Sequence, residues 1–264
     1  MTLKSRRDGT SLERAPTNIK PGKIRLDLLL VERGVAPSRE RAQALLLSGQ
    51  IRVNGEQMDK PGGQVAQDAR VELVGEPLRY SSRGGLKLEG ALVDFALSPE
   101  GRICLDAGSS TGGFTDCLLQ HGARKVYAVD VTVSQLDWKL RQNERVIAVE
   151  KNARHLRAED VGESVGFVVM DLSFISVTKV IPAVAPLAEM NADFLILVKP
   201  QFELERRDVG KGGIVRDATL HRKAIESVAS AVPRFGLDVL GVRPSRIPGA
   251  GGNQEFFLHA RQHG

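Results

Sequence analysis

Lys199 ends an apolar run, Phe194 to Val198, and is followed at once by Pro200. Lysine is seldom buried without a reason, so this amine is a candidate base or charge stabiliser; snorkelling to solvent is its plainer use. Asp171 follows a second apolar run, Val165 to Met170. It can serve beside the amine or simply cap the segment from Ser173. If both runs are buried strands, both polar groups fall at carboxyl ends, where open α/β sheets bind their ligands. A third candidate is the loop Asp106-Ala107-Gly108-Ser109-Ser110-Thr111-Gly112-Gly113-Phe114. Its glycines permit a sharp turn and close approach to bare backbone. The helix after it offers unpaired N–H donors to a carboxylate or phosphate. The spacing is G-x-x-x-G-G, neither a Walker loop nor G-x-G-x-x-G. Asp130 ends the next apolar run, 22 residues past Gly108. A carboxylate there can accept both hydroxyls of an adenosine ribose. Asn152 follows a further run, at a place where asparagine commonly serves as a turn residue.

The elements that would position these groups run from Lys87 onward. Strands are expected at Ile103 to Asp106, Lys125 to Asp130, Val146 to Val149, Val165 to Met170, Phe194 to Lys199, Leu237 to Val242 and Glu255 to Ala260. Helical patterns separate most of them, which predicts a parallel, doubly wound α/β sheet. Only Arg243 to Gln254 separates the last two, so those should pair as an antiparallel hairpin. Residues 24–74 read as a small α+β module. Leu26, Leu29 and Leu30 share a helix face stopped by Gly34; Ser38 caps a second helix; Asn54-Gly55 signals a hairpin. Residues 75–86, with Gly75, Pro77, Gly84 and Gly85, read as a linker, and residues 1–23 as a flexible basic tail.

The chain has 264 residues, 42% hydrophobic and 26% charged, which excludes wholesale disorder. No apolar run approaches the ~20 residues of a membrane span, and no signal peptide is evident, so the expected compartment is the cytoplasm. Cys104 and Cys117 are the two cysteines. They are too few for a disulfide framework and lack metal-site spacing, so they read as buried, reduced thiols. Net charge is +5, of which residues 1–80 hold +4. That bias points to a polyanion partner at the N-terminal third.

The glycine loop with Asp130 resembles the cofactor loop of Rossmann-fold S-adenosylmethionine methyltransferases. The resemblance implies that backbone N–H groups from Gly108 through Ser109, Ser110, Gly112, Gly113 and Phe114 meet the methionine carboxylate. Asp106 would hold the loop or the ammonium, Asp130 the ribose, and Asn152 the adenine. Lys87, Asp171, Lys199 and Glu255 resemble in order and position the Lys-Asp-Lys-Glu tetrad of FtsJ-like ribose 2′-O-methyltransferases. Taken alone, Lys87 is a helix-face lysine and Glu255 a solvated edge charge. The strings Ser82-Arg83-Gly84-Gly85-Leu86-Lys87-Leu88, Asp171-Leu172-Ser173-Phe174-Ile175-Ser176, Val198-Lys199-Pro200-Gln201-Phe202-Glu203 and Gly210-Lys211-Gly212-Gly213-Ile214-Val215-Arg216 narrow the likeness to the haemolysin-A (TlyA) family of rRNA methyltransferases. It runs from about Ile24 to Ala260. One departure is Arg79-Tyr80-Ser81-Ser82, more polar than the linker tetrapeptide of some members.

Residues 24–74 resemble that family's αL-type RNA-binding domain (the "S-four" module) through Arg25-Leu26-Asp27, Ser38-Arg39-Glu40-Arg41-Ala42 and Gln50 to Gly55. By that likeness Arg39, Arg41, Arg52 and Lys60 would contact phosphates, which position RNA without reading sequence. Implied overall are a Rossmann-like, mostly parallel sheet with an antiparallel last strand, and S-adenosyl-L-methionine as cofactor. The implied partner is ribosomal RNA or a ribosomal subunit, with neither membrane nor metal required. Lys199 would act as base or stabilise the developing alkoxide, Asp171 would orient it, and Lys87 and Glu255 would position the ribose. Two other readings stay open. A base methyltransferase is disfavoured by Leu172-Ser173-Phe174 in place of Pro-Pro-aromatic and by poorly placed cysteines. An RNA-binding, haemolysin-like protein without catalysis would not need the acid–lysine set.

Overall fold

The computed structural model describes residues 22–36, 38–47, 49–74 and 79–263. The expected basic tail lies outside the described residues apart from its last two positions. So does the start of the expected linker, residues 75–78.

The small domain begins with β1 (Lys23–Arg25) and α1 (Leu26–Glu32), whose Leu26, Leu29 and Leu30 are buried as their spacing predicts. Gly34, at φ +68°, turns the chain out of α1. Ser38 Oγ accepts the Arg41 N–H at 3.2 Å and caps α2 (Arg39–Leu47). β2 (Ile51–Val53) and β3 (Glu56–Met58) form the hairpin, with Asn54 and Gly55 at φ 53° and 86°. Both positive φ values are what a type I′ turn requires. β4 (Gln64–Ala66) pairs antiparallel with β1, and β5 (Val71–Leu73) with β2. The β1–β4 pair is invisible to periodicity: each strand has three residues and one central apolar position, Ile24 or Val65.

The large domain is a seven-stranded sheet. Its strands are β6 (Ile103–Ala107), β7 (Lys125–Asp130), β8 (Val146–Glu150), β9 (Val165–Met170), β10 (Ala188–Val198), β11 (Leu237–Pro244) and β12 (Phe256–Gln262), in the order β11-β12-β10-β9-β6-β7-β8. β8, β7, β6, β9 and β10 run parallel. β12 runs antiparallel between β10 and β11, so the last hairpin forms as expected and its second arm is inserted into the sheet. β10 begins earlier than the apolar run: its first residues, Ala188 to Asn191, alternate Ala and Met with Glu and Asn, and its register with β9 shifts between Ala188 and Asp193. Val168 packs on one face of the sheet, and Phe167 and Val169 on the other. Burial of both faces is why β9 reads as an unbroken apolar run.

Helices α3 (Arg83–Asp94), α4 (Gly113–Gln120) and α9 (Ala218–Ala231) supply the main cover. Single turns α5 (Trp138–Arg141), α6 (Ala158–Val161), α7 (Ile181–Val184) and α8 (Pro200–Glu203) complete it. The start of α3 corrects the linker reading. Ser82 Oγ accepts the Gly84 N–H, and Tyr80 is 1% exposed, inside the core. The glycines here serve close packing: a Cβ on Gly85 would lie 2.3 Å from the Tyr80 ring, and one on Gly113 2.2 Å from Ser82 Oγ.

At the sheet edge opposite the strand carboxyl ends, Asp193 is buried among His259, Arg102 and Arg261, with contacts of 2.7–2.9 Å. Burial pushes its pKa up, but these hydrogen bonds outweigh that and hold it below the usual carboxylate range. Asp193→Ala would leave this basic cluster unpaired. It should cost about 3 kcal/mol of unfolding free energy at pH 7, read by urea titration. Wild-type stability from this group falls as pH drops through the lowered pKa. A midpoint unchanged at pH 7 would refute the assignment. Among the described residues, no helix is long and apolar enough to cross a membrane.

Candidate active site

Strand register brings the candidates to one rim. Met170 pairs with both Ala107 and Ile196, and Val198 pairs with Phe256. Asp171, Lys199 and Glu255 therefore leave adjoining strands at the same end, beside the turn after β6. The Asp171 N–H donates to the Ala107 carbonyl at 3.0 Å, which joins the turn to the acid.

Gly108 is at φ +94°, and a Cβ there would lie 2.4 Å from the Asp171 carbonyl oxygen. Only glycine fits. Gly112, at φ +92°, leads into α4, and Ser110 also adopts positive φ, 47°. Asp130 Oδ2 accepts the Ser110 N–H at 3.0 Å and Oδ1 the Thr132 N–H at 3.1 Å. The acid thus fixes the glycine loop while retaining lone pairs for a ligand.

Asp106 is wholly buried. Thr115 Oγ1 donates to its Oδ2 at 2.6 Å, while Oδ1 has no hydrogen-bond partner, as is also true of Ser109 Oγ. Burial pushes the Asp106 carboxyl up to about 7, against the opposing Thr115 hydrogen bond. A buried carboxylate oxygen without a partner is costly, and a cationic ligand group would repair it. The residues present therefore fit the methionine end of S-adenosylmethionine.

Phe114 and Asn152 each carry a structural contact as well. The Phe114 side chain is 3% exposed and stacks on Phe257 at 6.1 Å, so only its backbone belongs to the loop. Asn152 Oδ1 accepts the Arg154 N–H at 3.0 Å and caps a short turn, the structural use open to it from sequence.

The four polar residues form two ion pairs. Lys199 Nζ lies 2.5 Å from Asp171 Oδ1 and donates to Ser173 Oγ at 3.2 Å. Lys87, on α3, donates to Glu255 Oε2 at 2.6 Å. Glu255 is 2% exposed, so it is a buried partner and no solvated edge charge. Burying either charge alone would be costly; pairing makes both tolerable.

Sequence reasoning missed the groups around this pair. Phe174 is 90% exposed and held at φ 66°, unusual for a bulky residue, with its ring 5.3 Å from Phe202. Glu203 accepts from Ser176 Oγ at 2.5 Å and from the Val177 N–H at 2.9 Å. Burial pushes the Glu203 carboxyl above its ordinary value. It ties the segment after Asp171 to the turn after Lys199. An aromatic directly after Asp171-Leu172-Ser173 was the available signal for Phe174; Glu203 gave none.

In the small domain, buried Asp27 accepts from Arg39 Nε at 2.9 Å, from Arg25 at 2.8 and 3.0 Å and from Gln43 at 3.1 Å. Arg25, not selected from sequence, thus stands beside Arg39 with its guanidinium partly exposed. Hydrogen bonding from Arg25 holds Asp27 below the usual range despite burial. Arg41 instead reaches across to the large domain and donates to the Ser81 carbonyl at 3.2 Å. Arg52 and Lys60 are exposed. Cys104 and Cys117 are buried, with thiols pushed up to about 12 by that burial. Among the described residues no His/Cys/Asp/Glu group could hold a metal ion.

Comparison with known proteins matches residues 80–262 to the FtsJ-like methyltransferase family and residues 24–71 to the S4 domain. The 16S/23S rRNA (cytidine-2′-O)-methyltransferase TlyA of Mycobacterium tuberculosis is 44% identical over 241 residues, 90% of each chain. Hemolysin A of Brachyspira hyodysenteriae is 42% identical over 238 residues, 89% of this chain and 99% of that one. A solved hemolysin-type protein of Streptococcus thermophilus superimposes with a TM-score of 0.72 at 43% identity, covering 92% of this chain and 90% of that one.

Proposed function

The chain belongs to the haemolysin-A (TlyA) family of FtsJ-like methyltransferases with an N-terminal S4 domain, and from that premise we propose that it methylates a ribose 2′-hydroxyl of ribosomal RNA. The observation that supports this most is the ion pair of buried Lys199 with half-buried Asp171, beside a glycine turn that follows the unpartnered Asp106 oxygen. S-adenosylmethionine, when bound, supplies a sulfonium methyl group, an electrophile strong enough to need no Lewis acid.

The remaining work falls to this chain's residues. Asp106 would receive the ammonium of the cofactor's methionine end, and the backbone of Gly108 to Gly113 would meet its carboxylate. Asp130 would accept from the adenosine ribose hydroxyls. Lys199 would donate to the target 2′-oxygen and stabilise the charge that develops there, and the hydroxyl proton would pass to solvent at the rim, where Asp171 is 22% exposed. Asp171 holds the Lys199 ammonium in place. Lys87 and Glu255 would position the acceptor ribose without adding net charge to the rim. Phe174, exposed next to this pair, offers the acceptor nucleotide a ring to stack on. Arg25 and Arg39, fixed on Asp27, with Arg52 and Lys60, would meet phosphates and hold the RNA in register. The domain division that fits this use is an RNA-binding unit over residues 24–74 and a methyltransferase unit from about residue 80. A cytoplasmic location, where ribosomes are made and used, goes with it.

The direct test uses methyl-labelled cofactor and ribosomal RNA, followed by alkaline hydrolysis. Ribose methylation blocks cleavage at the modified link, so label should survive in alkali-stable dinucleotides. Label appearing only in mononucleotides would mean that a base is the acceptor. The same binding scheme sets an expectation for Asp130→Ala. It loses the ribose acceptor and releases the Ser110 N–H, so affinity for S-adenosylmethionine should fall about 10- to 100-fold by calorimetry. Unchanged affinity would move the ribose site elsewhere.

A further inference from the structure

A groove of about 240 Å³, lined by none of Lys87, Asp171, Lys199 and Glu255, lies between the domains, with Ser38 and Arg41 on one side and Ser81, Thr111, Trp138 and Arg141 on the other. Its large-domain wall is packed from behind. Leu136 and Leu140 are buried, and a Cβ on Gly112 would lie 2.7 Å and 2.3 Å from them. The turn carrying Trp138 is therefore seated directly on the glycine loop. Trp138, midway between these leucines, faces outward and is 54% exposed.

The acidic groups around that ring accept local hydrogen bonds. Asp137 Oδ1 is committed to the Lys139 N–H at 2.9 Å. Asp116 is committed to the Ser81 N–H at 2.8 Å and to Gln120. Arg141 makes no ion pair among the described residues; Lys139 lines an adjoining cavity of about 230 Å³, as does Arg79, which is paired with Glu89. An open aromatic face between guanidinium groups is the arrangement that holds single-stranded nucleic acid: the ring takes a base and the cations take phosphates. The volume falls below the ~300–1,000 Å³ of a site that engulfs a drug-sized ligand. It suits one base better than a whole adenosyl cofactor.

We propose that this interdomain groove binds a single-stranded stretch of the RNA substrate, with one unpaired base stacked on Trp138 and its flanking phosphates at Arg41 and Arg141. The proposal rests on the methyltransferase reading above and adds to it a second RNA contact, separate from the target ribose. A strand held there would run from the S4 domain across the glycine loop, which places the acceptor relative to the cofactor from both sides.

Trp138 is the one tryptophan of the chain, so its fluorescence reports the groove alone. Saturating protein-free rRNA transcript should quench it, while S-adenosylmethionine alone should not. Trp138→Ala should raise the Kd for the transcript about tenfold, the loss of one stacked base. Trp138→Phe should stay within about threefold of wild type. Arg141→Ala should weaken binding and lower the slope of log K against log salt by about one. Cofactor affinity should stay unchanged in all three. The proposal is overturned by unchanged fluorescence under saturating RNA, by quenching with the cofactor alone, or by wild-type RNA affinity in Trp138→Ala. Wild-type methyl transfer is assayed in parallel. Its absence would defeat the enzymatic reading, whereas its presence with wild-type RNA affinity in Trp138→Ala defeats only the groove.

Discussion

Lys199→Ala should lower the rate of methyl transfer to ribosomal RNA about 1,000-fold while S-adenosylmethionine binds within about twofold of wild type. The asymmetry follows from geometry. Lys199 contacts Asp171, Ser173 and the Phe202 ring, and none of its contacts reaches the glycine loop. Removing it takes away the donor at the acceptor oxygen and leaves the cofactor's own contacts in place. The variant leaves Asp171 without its cation, but Asp171 remains 22% exposed at the rim and can be hydrated. The loss of stability should therefore stay near 1–2 kcal/mol, and circular dichroism should report a folded protein. Single-turnover assays with saturating cofactor isolate the chemical step. Turnover near the wild-type rate in that assay would remove Lys199 from the mechanism.

The rim itself was legible because buried parallel strands leave an unmistakable trace. Val165 to Met170 and Phe194 to Val198 are apolar without alternation, so the first polar residue after each, Asp171 or Lys199, stands out. The partners of those residues were not legible in the same way. Glu255 follows Gly249 to Gln254 in a polar stretch, and only its bond to Lys87, 168 residues away, makes it a buried charge. Glycines misled at one place and informed at another. At Gly108 the turn demands positive φ, and the spacing to Asp130 identifies it. At Gly84 and Gly85 the same residue type implied a linker, whereas helix packing against Tyr80 and Ser82 required it. Arg39 and Arg41, two positions apart on α2, looked equivalent. A helix sends such neighbours to different sides, and here one joins Asp27 while the other bridges to Ser81.

Asp106→Asn should weaken S-adenosylmethionine binding about 100-fold at pH 7.5 and at the same time stabilise the ligand-free protein. Both effects come from one buried oxygen. Asp106 is inaccessible to water, and its Oδ1 has no partner. Burial pushes its carboxyl up to about 7, well above the ~3.9 of an unfolded chain. The folded state thus holds a proton that the unfolded state releases, so folding is favoured below pH ~4 and loses that advantage as pH rises toward 7. Asparagine, never charged, avoids this cost, and its melting temperature should exceed that of wild type at pH 7.5 by more than at pH 5. Binding has the opposite pH sense. A cationic ammonium needs the carboxylate, so wild-type affinity should climb about eightfold between pH 6 and pH 7.5, and the asparagine variant should show no such climb. A protein that folds better and binds worse on loss of one charge is storing unfavourable burial at a ligand site. Wild-type affinity that stays flat over this range, or an asparagine variant that binds as tightly, would take Asp106 out of contact with the methionine ammonium.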